Sequence, residues 1–131
     1  MEFNQYNTTV QQWIHTVLEN RETNADVVLE CCRDIIAYGR KTDDSKLMGF
    51  GFFYGGEIYY ELNDGAHFFH MMTEALTYLD RAEEWELVVR CYNFLGIASM
   101  SRGNPSLALD YYMNGLKDSL SLIHISEPTR Q

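Results

Sequence analysis

The sequence predicts an all-α chain of six helices arranged as about three helix hairpins, and three observations carry that expectation. The 131 residues align with themselves at an offset of 40 without a gap, the mark of a repeated structural unit. Asn24, Asp64 and Asn104 fall in register, and each precedes an amphipathic run. A side-chain oxygen there accepts from an otherwise unpaired N–H of the first helical turn. Both prolines lie beyond residue 104, so nothing earlier removes a helical donor or forces a break.

The first unit, about residues 8–39, pairs a helix over Thr8–Asn20 with one over Asn24–Gly39. The second, about 44–80, pairs Asp44–Leu62 with Asp64–Asp80; the third, about 83–118, pairs Glu83–Arg102 with Asn104–Lys117. In the second helix of each unit Val28, Phe68 and Ala108 are equivalent. They are followed by Cys32, Met72 and Tyr112, then Ile35, Ala75 and Gly115, then Ile36, Leu76 and Leu116. Those steps of 4, 3 and 1 trace one buried helical face. In the first helices Trp13, Phe53 and Asn93 match, as do Leu18, Ile58 and Ala98, while Gly56 pairs with Gly96 and Leu47 with Leu87. Asn63-Asp64-Gly65 and Arg102-Gly103-Asn104-Pro105 read as turns, with Pro105 at the first helical position, where its missing N–H is harmless.

The helix Leu47–Leu62 is apolar nearly all round, as befits a middle unit covered on both sides. It also carries Gly49, Gly51, Gly55 and Gly56, which together cost about 3 to 4 kcal/mol relative to alanine. Close approach at the hairpin crossing offsets this at Gly56, as at Gly96; Gly49 and Gly51 imply close packing or a local bend.

Composition excludes several classes. Lys plus Arg number 10 against 19 Asp plus Glu, a net charge of −9, which repels phosphate backbones and anionic lipid, so neither nucleic acid nor membrane is expected as partner. At 46% hydrophobic and 14% aromatic the chain is too apolar for disorder. Its three cysteines, Cys31, Cys32 and Cys91, include no CxxC spacing and read as reduced thiols. The start lacks both a basic stretch and an apolar core, so no signal peptide is read. The longest uncharged apolar run, Leu47–Gly56, is half the ~20 residues a membrane span needs. A cytoplasmic location is expected.

Leu120–Arg130 reads LSLIHISEPTR and resembles the translation of a transposase-type sequencing-library adaptor over its whole length. Residues 120–131 are therefore set aside as a non-native tail. This removes Glu127 and Arg130, leaves the net charge at −9, and takes His124 out of any site. The domain is then residues 1–119, expected to be the first part of a longer protein whose downstream effector domain is missing.

Within those residues the third unit resembles the tetratricopeptide repeat family. Tyr92, Leu95, Gly96, Ala108, Tyr112 and Gly115 match its pattern, with Gly103-Asn104 at the turn and Ser99 in place of the usual Tyr. In the second unit Phe52, Gly56, Tyr59 and Ala75 match, while Phe68 replaces a small Ala and Gly55 a Leu; the first unit matches in hydrophobic pattern alone. The resemblance spans Thr8 to about Ser119, with a period of 40 where the family has about 34. It implies a right-handed superhelical stack, an α-solenoid, whose first helices line a concave groove for a protein or peptide segment. By register the groove residues are Trp13, Val17, Phe53, Glu57, Tyr60, Arg90, Asn93, Ile97 and Met100. Aromatic anchors beside polar groups suit a peptide or helix in a groove. The same Trp13 and Phe53 also suit packing between units. The positions of the chaperone-tail carboxylate clamp of some relatives are not reproduced.

Catalytic and metal readings are thinner. His67, His70 and Glu74 form H-x2-H-x3-E on one helix, a spacing that suits zinc. Register, however, puts His67 inward with Val27 and Leu107 and His70 outward with Glu30 and Asp110. No fourth ligand follows, so no metal and no cofactor is expected. Gly55-Gly56-Glu57-Ile58-Tyr59 looks superficially like the diguanylate cyclase signature. It lies within a helix, where that signature needs a hairpin, and is set aside as an active site. No phosphate loop, serine elbow or Cys-His pair is present, and Cys31 and Cys32 read as packing residues. The expected function is therefore a non-catalytic interaction or sensory module in a bacterial signalling protein. The run Tyr92–Leu116 resembles repeat regions that precede diguanylate cyclase domains in Clostridia. The alternatives are the repeat module of a peptide-sensing transcription regulator and, resting only on His67, His70 and Glu74, a fragment of a metal-dependent enzyme.

Overall fold

The computed structural model describes residues 1–126, which form six α-helices and no strand. They are α1 (Thr8–Asn20), α2 (Ala25–Lys41), α3 (Ser45–Glu61), α4 (Gly65–Arg81), α5 (Trp85–Ser101) and α6 (Pro105–Ser126). The all-α expectation holds, and the first five helices end within two residues of the expected boundaries. The sixth does not stop at Lys117: α6 continues through the adaptor-like residues to Ser126, and the remainder of that tail, 127–131, lies outside the described residues. The chain divides into two compact units, one of residues 1–84 carrying α1–α4 and one from Trp85 onward carrying α5 and α6. In the first, α1 packs on α2, α2 on α3 and α3 on α4; in the second, α5 packs on α6.

The forty-residue period rests on a finer, twenty-residue device. Helices α2 to α5 are each 17 residues long, and each ends in the same turn. Its left-handed residue is Asp43 (φ 53°), Asn63 (φ 57°), Glu83 (φ 58°) or Gly103 (φ 75°). In every case that residue's N–H donates to the carbonyl three back, and the next residue's N–H to the carbonyl five back, as with Asp43 to Arg40 and Asp44 to Gly39. This is the Schellman closure, which satisfies carbonyls that the helix end leaves open. At three of these four turns the residue that closes one helix then caps the next. Asp44, Asp64 and Asn104 accept from the N–H groups of Leu47, His67 and Leu107, as Asn24 does from Val27.

Only one of the four left-handed positions is glycine, although a residue with a Cβ pays there. Glu83→Gly is therefore expected to raise the unfolding free energy by about 0.5 to 1 kcal/mol. Asn63→Gly should gain less, since asparagine tolerates this conformation. Urea denaturation of the two variants checks the order, and a loss of stability at Glu83→Gly would show that its side chain does more than occupy a turn.

The inward face is the expected one through most of the chain: Val28, Phe68, Ala108, Cys32, Met72, Ile35, Ala75 and Ile36 are all buried. In α3, glycines open the helix toward both neighbours. A Cβ on Gly49 would stand 3.1 Å from the Leu79 backbone nitrogen of α4, and one on Gly51 would stand 3.1 Å from the Cys32 carbonyl oxygen of α2. Close packing on two sides, rather than a bend, is thus what those glycines serve. The second unit departs from the expected face, because Tyr112 is 37% and Leu116 54% exposed. Their equivalents in α2, Cys32 and Ile36, lie under Gly51 of α3, whereas α6 leaves Leu109, Met113 and Leu120 exposed beside them.

Candidate functional site

Helix α3 places Lys46, Phe50, Tyr54, Glu57 and Glu61 at steps of four, four, three and four, hence along one face. Near the C-terminal end of that face stands Arg21, the residue that follows α1. Its Nε donates to Glu57 Oε1 and its Nη2 to Glu57 Oε2, both at 2.8 Å, a bidentate fork that fixes both planes. The guanidinium carbon also lies 4.9 Å from the centre of the Tyr54 ring, a cation–π distance. Side-chain exposure is 30% for Arg21 and 12% for Glu57, so the pair is partly withdrawn from water. The Glu57 hydrogen bond raises the Arg21 pKa against the opposing pull of burial.

Beside this pair opens a cavity of about 510 Å³ whose walls include Arg21, Glu22, Asn24, Glu57, Glu61 and Leu62. Three carboxylates face one guanidinium that is already bonded to one of them. The Leu62 side chain is exposed and adds an apolar edge.

The nine residues assigned to a groove by register do not all reach a surface. Val17 and Phe53 are fully buried and belong to the core, which corrects their reading as binding residues: a side chain with no accessible area cannot touch a partner. Trp13 is half-buried, its ring edge-on to Tyr38 at 6.2 Å. Tyr60 is half-buried with its ring 5.4 Å from Phe68, and Glu57 lines the cavity. On α5, Asn93, Ile97 and Met100 are exposed and Arg90 is half-buried. Sequence reasoning missed Arg21. It belongs to no helical stripe and meets Glu57 across 36 residues of chain, a separation that no local spacing reveals.

His67, His70 and Glu74 do not assemble as ligands, and among the described residues no three His, Cys, Asp or Glu side chains are placed to hold a metal. Register puts His67 inward; its side chain is instead 62% exposed. It sits in the first turn of α4, where its ring stacks on Tyr59 at 4.8 Å and its Nδ1 lies 2.7 Å from Asp64 Oδ2. The His67 backbone N–H, and then its ring, hold the Asp64 carboxyl below the usual range. His70 is exposed and lies edge-on to Phe52 at 6.4 Å. Burial pushes the Cys32 and Cys91 thiols far up. The half-buried Cys31 thiol is also raised, by desolvation and then by Asp34 and Glu30. All three are free, and none has the lowered pKa of a nucleophilic thiol.

Among the described residues no helix is long and apolar enough to cross a membrane. No family model matches the chain, and neither a curated protein nor a solved structure shows significant similarity to it.

Proposed function

We propose that this chain is a non-catalytic module of tetratricopeptide-like helix hairpins that binds a protein or peptide segment. The observation that carries the reading is the cavity beside the Arg21–Glu57 pair, a preorganised concavity that offers fixed polar groups and an apolar edge without a reactive group among them. Carboxylates outnumber cations on its walls, and the whole chain carries −9, so the partner is a segment bearing Lys or Arg. The resemblance of Tyr92–Leu116 to repeats that precede diguanylate cyclase domains supports a place in a bacterial cytoplasmic signalling protein, with the module upstream of an effector.

Selection of displayed random peptides on the purified chain, followed by fluorescence anisotropy, tests this. Binders enriched in Lys or Arg are expected. Glu61→Gln is expected to weaken them about tenfold, equivalent to about 1.4 kcal/mol, with little change in melting temperature because Glu61 is exposed. Selection of only acidic or purely apolar peptides, or binders indifferent to Glu61→Gln, would overturn the cavity as the site.

A further inference from the structure

Residues 1–7 precede α1 and fold back across the start of α3. Phe3 meets Phe50 edge-on, with ring centres 5.2 Å apart at 77°. The Lys46 ammonium lies 4.9 Å from the Phe3 ring centre and 5.9 Å from that of Tyr6, and it donates to the Glu2 carbonyl oxygen. Glu84 Oε1 also lies 3.9 Å from the same ammonium. The Tyr6 hydroxyl donates to Asp44 Oδ2 at 2.9 Å, while Asp44 Oδ1 accepts from the Leu47 N–H at the start of α3. Asp44 thus divides its two oxygens between its own helix and the returning segment.

This contact has the form of recognition. The segment has neither helix nor strand: Asn7 caps α1 and the Tyr6 carbonyl accepts from Gln11 Nε2, while Glu2, Phe3 and the Tyr6 side chain are held by α3 and its cap Asp44. The receiving groups are also particular to the middle unit. The positions equivalent to Phe50 are Val10 and Arg90, and the one equivalent to Lys46 on α5 is Glu86. Three features of the segment are read together: a backbone carbonyl by Lys46, a phenyl ring by Phe50 and Lys46, and a phenol by Asp44. Burial, and then the Asp44 carboxylate, push the Tyr6 phenol well up, the direction expected of a hydroxyl that donates to a carboxylate.

We propose that Asp44, Lys46 and Phe50 form a docking site for a peptide segment carrying Phe-x-x-Tyr, and that residues 1–6 occupy it in cis. A tethered segment is present at an effective concentration in the millimolar range. A partner bearing the same pattern must therefore displace it, and release of residues 1–6 from α3, with Asn7 still capping α1, opens the site. The surface is separate from the cavity at Glu57 and does not depend on it.

A fluorescein-labelled heptapeptide of residues 1–7, MEFNQYN, is the probe, titrated by anisotropy against the full chain and against its Phe3→Ala/Tyr6→Ala variant. The heptapeptide is expected to bind the variant at least tenfold more tightly than the unaltered chain. A peptide with Phe in place of Tyr, or Ala in place of Phe, should bind the variant several-fold more weakly than the heptapeptide. Equal affinity for the two chains, or indifference to both peptide changes, would overturn the proposal. Should the double variant lose its helical circular dichroism, the single variant Tyr6→Phe decides the matter, since it keeps the ring and removes only the hydrogen bond. A several-fold gain in heptapeptide affinity is expected there, and no gain overturns the proposal. Glu61→Gln in the double variant should leave heptapeptide binding unchanged; a loss would put the peptide in the cavity and overturn the assigned site.

Discussion

Phe53→Ala is expected to lower the unfolding free energy by about 3 to 5 kcal/mol, the range for truncating a buried aromatic. Phe53 has no accessible area, and α3, on which it sits, is packed by both α2 and α4. Deleting the ring removes its dispersion contacts and leaves a void that these helices close only in part. Trp13→Ala, at the equivalent position of α1, should cost less because Trp13 is half-buried. Urea denaturation of both variants separates packing from recognition. A loss under about 0.5 kcal/mol at Phe53, the range of an exposed residue, would restore it as a binding residue and contradict its burial.

Gly51→Leu is expected to cost about 3 kcal/mol or more, at the upper end of the range for overpacking. The first carbon of any side chain there meets Ile36 Cγ1 at 2.6 Å and the Cys32 carbonyl oxygen at 3.1 Å. A neighbouring side chain can move; a helical carbonyl cannot move without separating α2 from α3. Gly55→Ala is the informative contrast on the same helix. Its added carbon meets the terminal methyl of Met71 at 2.5 Å and otherwise only Cys32 Cβ at 3.8 Å, so a flexible side chain yields. The helix-propensity gain of about 1 kcal/mol then offsets the crowding, and stability should change by less than that gain. Thermal unfolding of the two variants checks the difference. Equal behaviour would mean that α2 and α3 do not approach as closely at Gly51 as the structure has them.

The helices, their order and most of the inward face were legible in the sequence for a local reason. Cap residues, apolar periodicity and the position of Pro105 act within a turn or two of chain, and a gapless repeat makes each signal visible several times. The left-handed turn residues were legible at Gly103 and, through its turn composition, at Asn63. They were not legible at Asp43 or Glu83, where an ordinary residue takes a conformation its own preferences oppose and the hydrogen bonds of the turn hold it there.

Register alone could not separate a surface from a core. Trp13, Phe53 and Asn93 occupy one repeat position, yet they are half-buried, fully buried and exposed in that order, because burial depends on which neighbours cover a position rather than on its place in the repeat. The same reason exposes Leu116 while covering Ile36. Helical period and caps, being near-neighbour chemistry, were determined by the sequence by itself: an all-α chain of six helices. The Arg21–Glu57 fork, the seat of Phe3 and Tyr6 on α3, and the two-sided packing at Gly49 and Gly51 were decided only by tertiary structure. Each joins groups distant in the chain whose meeting depends on how whole helices are placed, and no spacing along the chain records that placement.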